Sequence, residues 1–264
     1  MNLIPFNLKI IEYEDNREVE YRFYDEPMGS MSDDIDIEFQ LQKEKHDPGT
    51  FEYVQDIIRS NNESYRRTKQ AIYTHARSNI WEWFVTYTFD PQKIDSTNYD
   101  EVYKSLSNHL KYIKKNYCKD MKYIVVPELH LDGKKYHFHA LMSDIDGLSF
   151  RDSKKRSKGK IIYNIDNYKL GWTTAIRIGE GESAKTANYI TKYITKGLTY
   201  YTKNRQRYLV SQNLKKPIVS NYYLAQEEMR DLKESLKEKT TSAKVVQVDS
   251  GSYTNRIEYI NIKL

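Results

Sequence analysis

The sequence has 264 residues and a formal net charge of +5, a length that suffices for one large core or two smaller ones. Its apolar runs stay short of the roughly 18 residues that a membrane-spanning helix needs, and the N-terminal stretch MNLIPFNLKI lacks the long apolar region of a secretory signal. The single cysteine, Cys118, excludes an internal disulfide and a thiolate metal cluster. We therefore expect a soluble cytoplasmic protein with no membrane partner, in which any metal is held by His, Asp or Glu.

The charge is divided unevenly along the chain. Residues 1–50 hold 13 acidic and 5 basic side chains, a net of −8, whereas the remaining 214 residues hold 37 basic and 24 acidic ones, a net of +13. We therefore treat residues 1–50 as an acidic N-terminal extension. The basic remainder favours a polyanionic partner such as nucleic acid, although a merely solvated surface gives the same excess.

The first elements in chain order are a hairpin, a helix, a strand and a second helix. Alternation in NLKIIEYED and EVEYRFYDEP predicts the hairpin, and loosely helical spacing predicts a helix over residues 52–77. WEWFVTYTFD is β-branched and aromatic throughout, which is typical of a buried strand. STNYDEVYKSLSNHLKYIKKNY opens on a capping signal and predicts the clearest helix of the chain, with one apolar face formed by Val102, Leu106, Leu110 and Ile113.

The elements that follow are mostly strands. KYIVVPELHL and YHFHALMSD predict a strand pair around Asp132-Gly133, and KIIYNI and WTTAIRI predict two further strands. ESAKTANYITKYITKGL then predicts a helix closed by Gly197. This order indicates an α+β domain over residues 51–235, with an antiparallel sheet and helices on one face. A charged helix, AQEEMRDLKESLKEK, leads to a C-terminal tail at residues 236–264 with short strands near KVVQV and RIEYINI.

The strand pair around the Asp-Gly turn predicts a metal site. If these two residues form the loop, Glu128 lies directly opposite His137; in a four-residue loop it faces His139 instead. Both registers place Glu128, His130, His137 and His139 on one face. Two imidazoles and a carboxylate without a thiolate suit Mg²⁺, Mn²⁺ or Zn²⁺, so Glu128, His137 and His139 are the candidate ligands. His130 is a fourth ligand, a supporting residue or neither, and the alternative to a metal site is a solvated polar face of a half-exposed sheet.

A basic cluster, RDSKKRSKGK at residues 151–160, follows this strand pair. Six basic side chains and no apolar residue predict an exposed loop that either tracks a phosphate backbone or serves solubility. The candidate DNA-binding residues are Arg151, Lys154, Lys155, Arg156, Lys158 and Lys160.

The last helix of the predicted domain repeats Tyr-Ile-Thr-Lys. On a helix this repeat places Tyr189 one turn from Tyr193, and Lys192 one turn from Lys196. A chain with 24 tyrosines contains such pairs by chance, so a packing stripe is one interpretation. Beside a metal site, the same residues supply two phenolic nucleophiles and two cations that stabilise a phenolate or contact phosphate.

Three stretches, FVTYTF, PELHLDGKKYHFHALM and ANYITKYITK, resemble in order and approximate spacing the three motifs of the HUH endonucleases, the initiators of rolling-circle replication. The doubled Tyr-x-x-Lys is most similar to the initiators of small single-stranded DNA phages and related plasmids. YLVSQNLKKP also resembles a stretch that follows the tyrosine helix in that group. The likeness covers residues 65–217.

This resemblance implies a fold, a cofactor and a reaction. The fold is a central five-stranded antiparallel sheet with packed helices, and the cofactor is Mg²⁺ or Mn²⁺ on Glu128, His137 and His139. Tyr189 or Tyr193 attacks a phosphate of a single-stranded DNA origin in a bacterial cell, leaving a 5′-phosphotyrosine and a free 3′-hydroxyl, and two tyrosines allow strands to be rejoined. A relaxase or transposase with the same chemistry is the nearest alternative. A nucleic-acid-binding module with a structural metal is the alternative that is not an enzyme.

The stretch GEGESAKT, residues 179–186, nearly spells a phosphate-binding loop. Ala184 replaces the glycine that precedes the lysine in such loops, and Glu180 and Glu182 put anionic groups where phosphate must approach. We therefore expect no ATPase in this chain, and unwinding of duplex DNA falls to a partner, a host helicase.

Overall fold

The computed structural model describes residues 4–29, 51–130, 132–179, 181–195, 198, 202, 205–249 and 254–264. Residues 30–50, a large part of the predicted acidic extension, lie outside the described residues. The chain forms two compact units, a larger one at Val54–Lys215 and a smaller one that combines Met1–Tyr53 with Lys216–Leu264. Among the described helices, none is both long and apolar enough to cross a membrane.

Strands and helices alternate along the described residues. The strands are β1 (Phe6–Tyr13), β2 (Glu18–Met28), β3 (Trp83–Phe89), β4 (Lys122–Leu129), β5 (Tyr136–Ser143), β6 (Phe150–Ser157), β7 (Lys160–Ile165), β8 (Gly171–Arg177), β9 (Leu209–Val210), β10 (Ile218–Tyr222), β11 (Thr240–Asp249) and β12 (Thr254–Lys263). The α-helices are α1 (Phe51–Arg77), α2 (Tyr99–Asn116), α3 (Ser183–Ile190) and α4 (Gln226–Leu236).

The larger unit is built on an antiparallel sheet of seven strands in the order β6-β7-β8-β3-β5-β4-β9. The predicted α+β class is confirmed. The predicted five-stranded sheet fits the central strands from β7 to β4, and the structure adds β6 at one edge and the two-residue β9 at the other. Neither addition has the apolar run or the strict alternation of the central strands, which is why the sequence did not predict them as strands.

One face of this sheet, here named the closed face, carries the odd-numbered residues of β3 and their partners on β5, Val85 with Ala140 and Tyr87 with Phe138. All four are at most 1% exposed. Helix α2 covers this face: the ring of His109 lies against that of Tyr87, and the helix buries Val102, Leu106, Leu110 and Ile113. The predicted capping signal is confirmed, because the side chain of Asn98 accepts a hydrogen bond from the backbone N–H of Glu101.

The opposite face, here named the open face, carries the even-numbered residues of β3 and the odd-numbered residues of β5. Helix α3 lies on this side, with the ring of Tyr189 at 5.4 Å from that of Phe84. The prediction of helices on one face only is therefore wrong. The sheet is covered on both sides because its central strands carry large apolar residues at positions of both parities, Phe84 and Leu141 on the open face and Tyr87 and Phe138 on the closed one.

The basic cluster at residues 151–160 is not a loop. It forms most of β6 and the start of β7, joined by a tight turn in which Lys158 and Gly159 have φ of 48° and 80°. The pairing shifts between Asp152 and Arg156, and Lys154 has φ of 62°. An edge strand needs no buried side chain when its backbone groups pair with a neighbour, so the charged composition hid a strand.

The smaller unit has its own antiparallel sheet in the order β10-β1-β2-β12-β11. The predicted N-terminal hairpin is confirmed as β1 with β2, and the predicted last strand pair as β11 with β12. Helix α4 packs on this sheet through a core of Leu8, Val19, Phe23, Leu236, Ile260 and Ile262. The two termini therefore share one core, which differs from the predicted division into an extension at 1–50, a domain at 51–235 and a tail at 236–264.

Candidate active site

The β4–β5 hairpin has the register predicted for the two-residue loop, with Glu128 directly opposite His137. Gly133 at the turn has φ of 68°, and its N–H donates to the carbonyl of His130 at 2.8 Å. The carboxylate of Asp132 accepts hydrogen bonds from the two backbone N–H groups that follow the turn. An Asp-Gly pair meets both demands of this turn, because Gly adopts positive φ at no steric cost and Asp satisfies free N–H groups.

The side chains of Glu128 and His139 meet on the open face. The Oε2 atom of Glu128 lies 2.6 Å from Nε2 of His139, and Oγ1 of Thr86 lies 3.1 Å from Nδ1 of the same ring. His139 is 7% exposed. With contacts at both nitrogens, this buried imidazole has a fixed orientation.

The other two histidines form a second pair. The rings of His130 and His137 are 5.1 Å apart between centroids. Burial, and then the neighbouring His130, lowers the pKa of His137 below its usual value. The hydrogen bond with His139 lowers the pKa of Glu128. A neutral imidazole and an ionised carboxylate are the forms in which these groups bind a metal.

The donor set fits Mg²⁺ or Mn²⁺ in chemical type, since it offers carboxylate oxygen and imidazole nitrogen on adjacent strands. The donors do not converge: within the described residues, no three His, Cys, Asp or Glu side chains form a metal-binding group. They stand instead as the two pairs Glu128–His139 and His130–His137. Two ligands of an octahedral ion at about 2.1 Å are about 3 Å apart, so the first pair, at 2.6 Å, needs only a small opening to bind one ion.

The predicted tyrosine helix is shorter than expected. Helix α3 ends at Ile190, Thr191–Tyr193 is a 3-10 turn, and Ile194 is extended with φ of −81° and ψ of 107°. The hydroxyl of Thr191 donates to the carbonyl of Asn188 at 2.8 Å, a side-chain bond that competes with the regular helical pattern. Gly197, the predicted end of the helix, lies outside the described residues.

Both tyrosines nevertheless reach the same place. The ring of Tyr193 stacks on that of His139, with centroids 3.6 Å apart and planes at 16°. Its hydroxyl donates to the hydroxyl oxygen of Tyr189 at 2.8 Å. Tyr189 is 46% exposed, whereas Tyr193 is half-buried, and this burial, together with Tyr189 and Glu128, raises the pKa of Tyr193. The structure thus brings four of the predicted site residues together: Glu128, His139, Tyr189 and Tyr193.

The two predicted catalytic lysines differ in what is known of them. The ammonium group of Lys192 lies over the ring of Tyr189, 5.6 Å from its centroid. Lys196 lies outside the described residues.

A groove of about 590 Å³ opens beside Tyr189. Its basic lining consists of Lys158, Lys160, Arg177 and Lys185, and its aromatic lining of Phe84 and Tyr189. Two of the six predicted DNA-binding residues, Lys158 and Lys160, belong to it. Arg177 and Lys185 were missed by the sequence reasoning, although the end of WTTAIRI and the first turn of the next helix carried them in plain view.

The other predicted DNA-binding residues lie away from the lining of this groove. Arg151 pairs with Asp166 at 3.0 Å and Arg156 with Asp152 at 3.3 Å, whereas Lys154 and Lys155 are exposed on β6. Arginines already paired with a carboxylate have less charge to offer a phosphate.

The stretch that resembles a phosphate-binding loop is filled by a carboxylate. The side chain of Glu182 accepts a hydrogen bond from the N–H of Gly179 at 2.7 Å and pairs with Lys160 at 2.5 Å. These are the groups that would otherwise face an anion, which supports the expectation that no nucleotide binds there as in an ATPase.

Residues 82–198 match a family model of replication-associated proteins, the one described as Replication-associated protein ORF2. Comparison with curated proteins gave no match, and comparison with solved structures gave none. The matched segment runs from β3 to just beyond the two tyrosines, and it is somewhat less than half of the chain. The part of the chain that carries the candidate site is therefore similar to replication-associated proteins of the rolling-circle type.

Proposed function

We propose that the chain is a replication initiator that nicks single-stranded DNA at an origin through a tyrosine and later rejoins strands. The observation that carries this proposal is the stack of Tyr193 on His139, with Tyr189 hydrogen-bonded to Tyr193. It places two phenols at the predicted ligands inside the segment that is similar to replication-associated proteins. The larger unit, residues 54–215, holds 29 basic and 16 acidic residues, a net of +13, which suits a polyanionic substrate.

The metal in this proposal is Mg²⁺ or Mn²⁺, held by Glu128, His139 and His137. It supplies a positive charge that offsets the charge on the non-bridging oxygens of the attacked phosphate. Thr86 fixes the orientation of His139 through the contact at Nδ1. His130, next to His137, is a positioning residue or a further ligand.

Tyr189 is the first nucleophile in this proposal. It is the more exposed of the two phenols, and it accepts a hydrogen bond from Tyr193 that stabilises negative charge on its oxygen. The Tyr189 oxygen forms a bond to phosphorus, the bond from phosphorus to the 3′-oxygen breaks, and the 3′-oxygen takes up a proton. Lys192, above the Tyr189 ring, adds positive charge nearby. Tyr193 then serves the second transfer, in which one strand is cut as the other is released.

The experiment is a count of covalent protein–DNA adducts on labelled single-stranded origin DNA with Mn²⁺. Tyr189→Phe and Tyr193→Phe are tested singly and together, with Tyr112→Phe as a control, since Tyr112 is similarly exposed but lies on α2. The double variant forms no adduct, and Tyr189→Phe loses most of the first cleavage. Adducts that persist in the double variant exclude these tyrosines from the chemistry, and full activity of Tyr189→Phe reverses their order.

DNA binding is tested through its dependence on salt. Each phosphate contact that is lost reduces the slope of log affinity against log salt by about 0.7 for a single strand. Replacing Lys158 and Lys185 in the groove with alanine should flatten this slope, whereas replacing Lys154 and Lys155 on β6 should leave it closer to that of the unaltered protein. Equal effects of the two pairs would return the whole basic cluster to the interface. Duplex unwinding in this proposal is the task of a host helicase.

A further inference from the structure

Trp172 is a large apolar side chain that the proposed chemistry leaves unused. It is 58% exposed, whereas the other two tryptophans, Trp81 and Trp83, are 2% and 5% exposed. None of the aromatic ring pairs found among the described residues includes it, although such pairs are frequent in the larger unit. Exposure of an indole in water gains nothing for folding, so its position requires another account.

The strand register places Trp172 on the open face. Trp172 pairs with Thr88, and two positions away Thr174 pairs with Thr86, which itself pairs with His139. Continuing the same register by two residues brings Thr88 level with His137. Trp172 and His137 thus lie in one row across three strands, with their backbones two strand spacings, about 10 Å, apart.

A pocket fills the space between them. It measures about 240 Å³ and is lined by Thr88, His130, His137 and Trp172, with Ser96 and Lys135 at its polar side. A flat aromatic wall, polar groups and a cation in one small pocket are the features with which proteins hold an unpaired base and its phosphate.

The backbone holds this tryptophan in place. A Cβ atom on Gly171 would lie 2.2 Å from the carbonyl oxygen of Thr88, so glycine permits the start of β8 to approach β3 closely. The N–H of Asp90 donates to the carbonyl of Leu170 at 2.9 Å and closes the same junction. Trp172 therefore stands on a fixed strand end, which lowers the entropic cost of binding against it.

We infer that Trp172 is a stacking platform for one unpaired base of the single-stranded DNA substrate, next to the nucleotide whose phosphate is attacked. The inference rests on the proposed function for the identity of the substrate. It adds a positioning residue that selects single-stranded over duplex DNA, because a paired base has no free face to offer.

Tryptophan emission tests this inference directly, because two of the three tryptophans are buried. The protein is titrated with a single-stranded oligonucleotide in EDTA, so that no cleavage occurs, and with a blunt duplex of the same sequence. Single-stranded DNA should quench the emission of the exposed indole and protect it from acrylamide. The duplex should do so much less, and Trp172→Phe should show no such change.

Affinity gives the second measurement. Trp172→Leu should bind single-stranded DNA about tenfold more weakly, while Trp172→Phe should retain most of the affinity, since a phenyl ring still stacks. Tyr112→Leu is the matched control, an aromatic residue of similar exposure on the helix that covers the closed face. Unquenched emission with bound DNA, or Trp172→Leu binding as tightly as the unaltered protein, overturns the inference.

The two proposals fail separately. The double variant Tyr189→Phe, Tyr193→Phe should keep the quenching, because binding needs no nucleophile. If no variant ever forms an adduct but quenching and the loss of affinity remain, the nicking proposal fails and the platform stands. If nicking occurs and Trp172→Leu changes neither affinity nor KM, the platform alone is wrong.

Discussion

The two faces of the seven-stranded sheet are made from the same strands and carry opposite kinds of residues. On β5, Phe138, Ala140 and Met142 on the closed face are fully buried, and the odd-numbered neighbours include His137 and His139. On β3, Tyr87 is buried against α2 while Thr86 contacts a histidine. Strand alternation therefore separates stability from chemistry by a single residue step, and it predicts that adjacent substitutions have effects of different kinds.

The largest effect is expected from breaking the closed face. Phe138→Ala should lower the free energy of unfolding by about 3–5 kcal/mol because it leaves a cavity in a fully buried site. His137→Ala, one residue away, should cost less than about 1 kcal/mol yet abolish nicking. Unfolding in urea is followed by tryptophan emission, because Trp81, Trp83 and Trp172 all lie in the larger unit. Similar losses of stability in both variants would contradict the separation of the two faces.

The next effect concerns acidity on the closed face. Burial lowers the pKa of His109 to about 4. Between that value and the ordinary value of about 6.5, the unfolded chain binds a proton that the folded chain does not, so stability falls as the pH is lowered through this range.

His109→Phe should remove this contribution. The loss of unfolding free energy between pH 7.5 and pH 4 should be smaller in the variant by up to about 3 kcal/mol. Carboxylates titrate in both proteins, so the difference between the two isolates His109. Parallel pH profiles would show that the imidazole reaches water on the closed face.

An intermediate effect is expected at the strand junction that holds the open face. Gly171→Ala should destabilise the larger unit by about 1–3 kcal/mol, because the new methyl group meets backbone that has no room to move. Gly147→Ala is a matched control, since its Cβ would lie 2.3 Å from the carbonyl oxygen of Tyr117. Both should lose stability, but only Gly171→Ala should shift the emission of Trp172. Identical spectra in the two variants would separate the junction from the tryptophan.

The smallest effect is expected from a residue that touches only a proposed ligand. Thr86→Val removes the contact at Nδ1 of His139 and should raise the Mn²⁺ concentration for half-maximal nicking about tenfold. Thr174→Val, at the paired position on β8, should leave it unchanged. If the two variants behave alike, Thr86 does not orient the histidine.

The hairpin could be predicted from the sequence because its information is local. An Asp-Gly turn and strict alternation fixed the register of Glu128 opposite His137 without any other strand. Helix α2 was equally local, with its cap, its apolar stripe and its charges all within one segment.

Features that depend on distant partners were missed. The exposed side of Trp172 is defined by β3, more than 80 residues earlier in the chain, and its strand pattern alone does not say which face remains uncovered. The charged strand β6 exists because β7 pairs with it. The end of α3 at Ile190 follows from a side-chain hydrogen bond of Thr191, for which the repeated Tyr-Ile-Thr-Lys gives no stop signal.

The strand order of the smaller unit determines when it is able to form during synthesis. Strand β2 lies between β1 and β12, and residues as far apart as Tyr24 and Ile257 face each other. A ribosome that has completed β1 and β2 has made a lone hairpin, which is marginally stable in water. The hairpin must wait for the whole of Val54–Lys215 to be translated, while that continuous stretch is free to fold as it emerges. The smaller unit is consequently completed last, and its first strands have unpaired edges for longer than any other part of the described sheets.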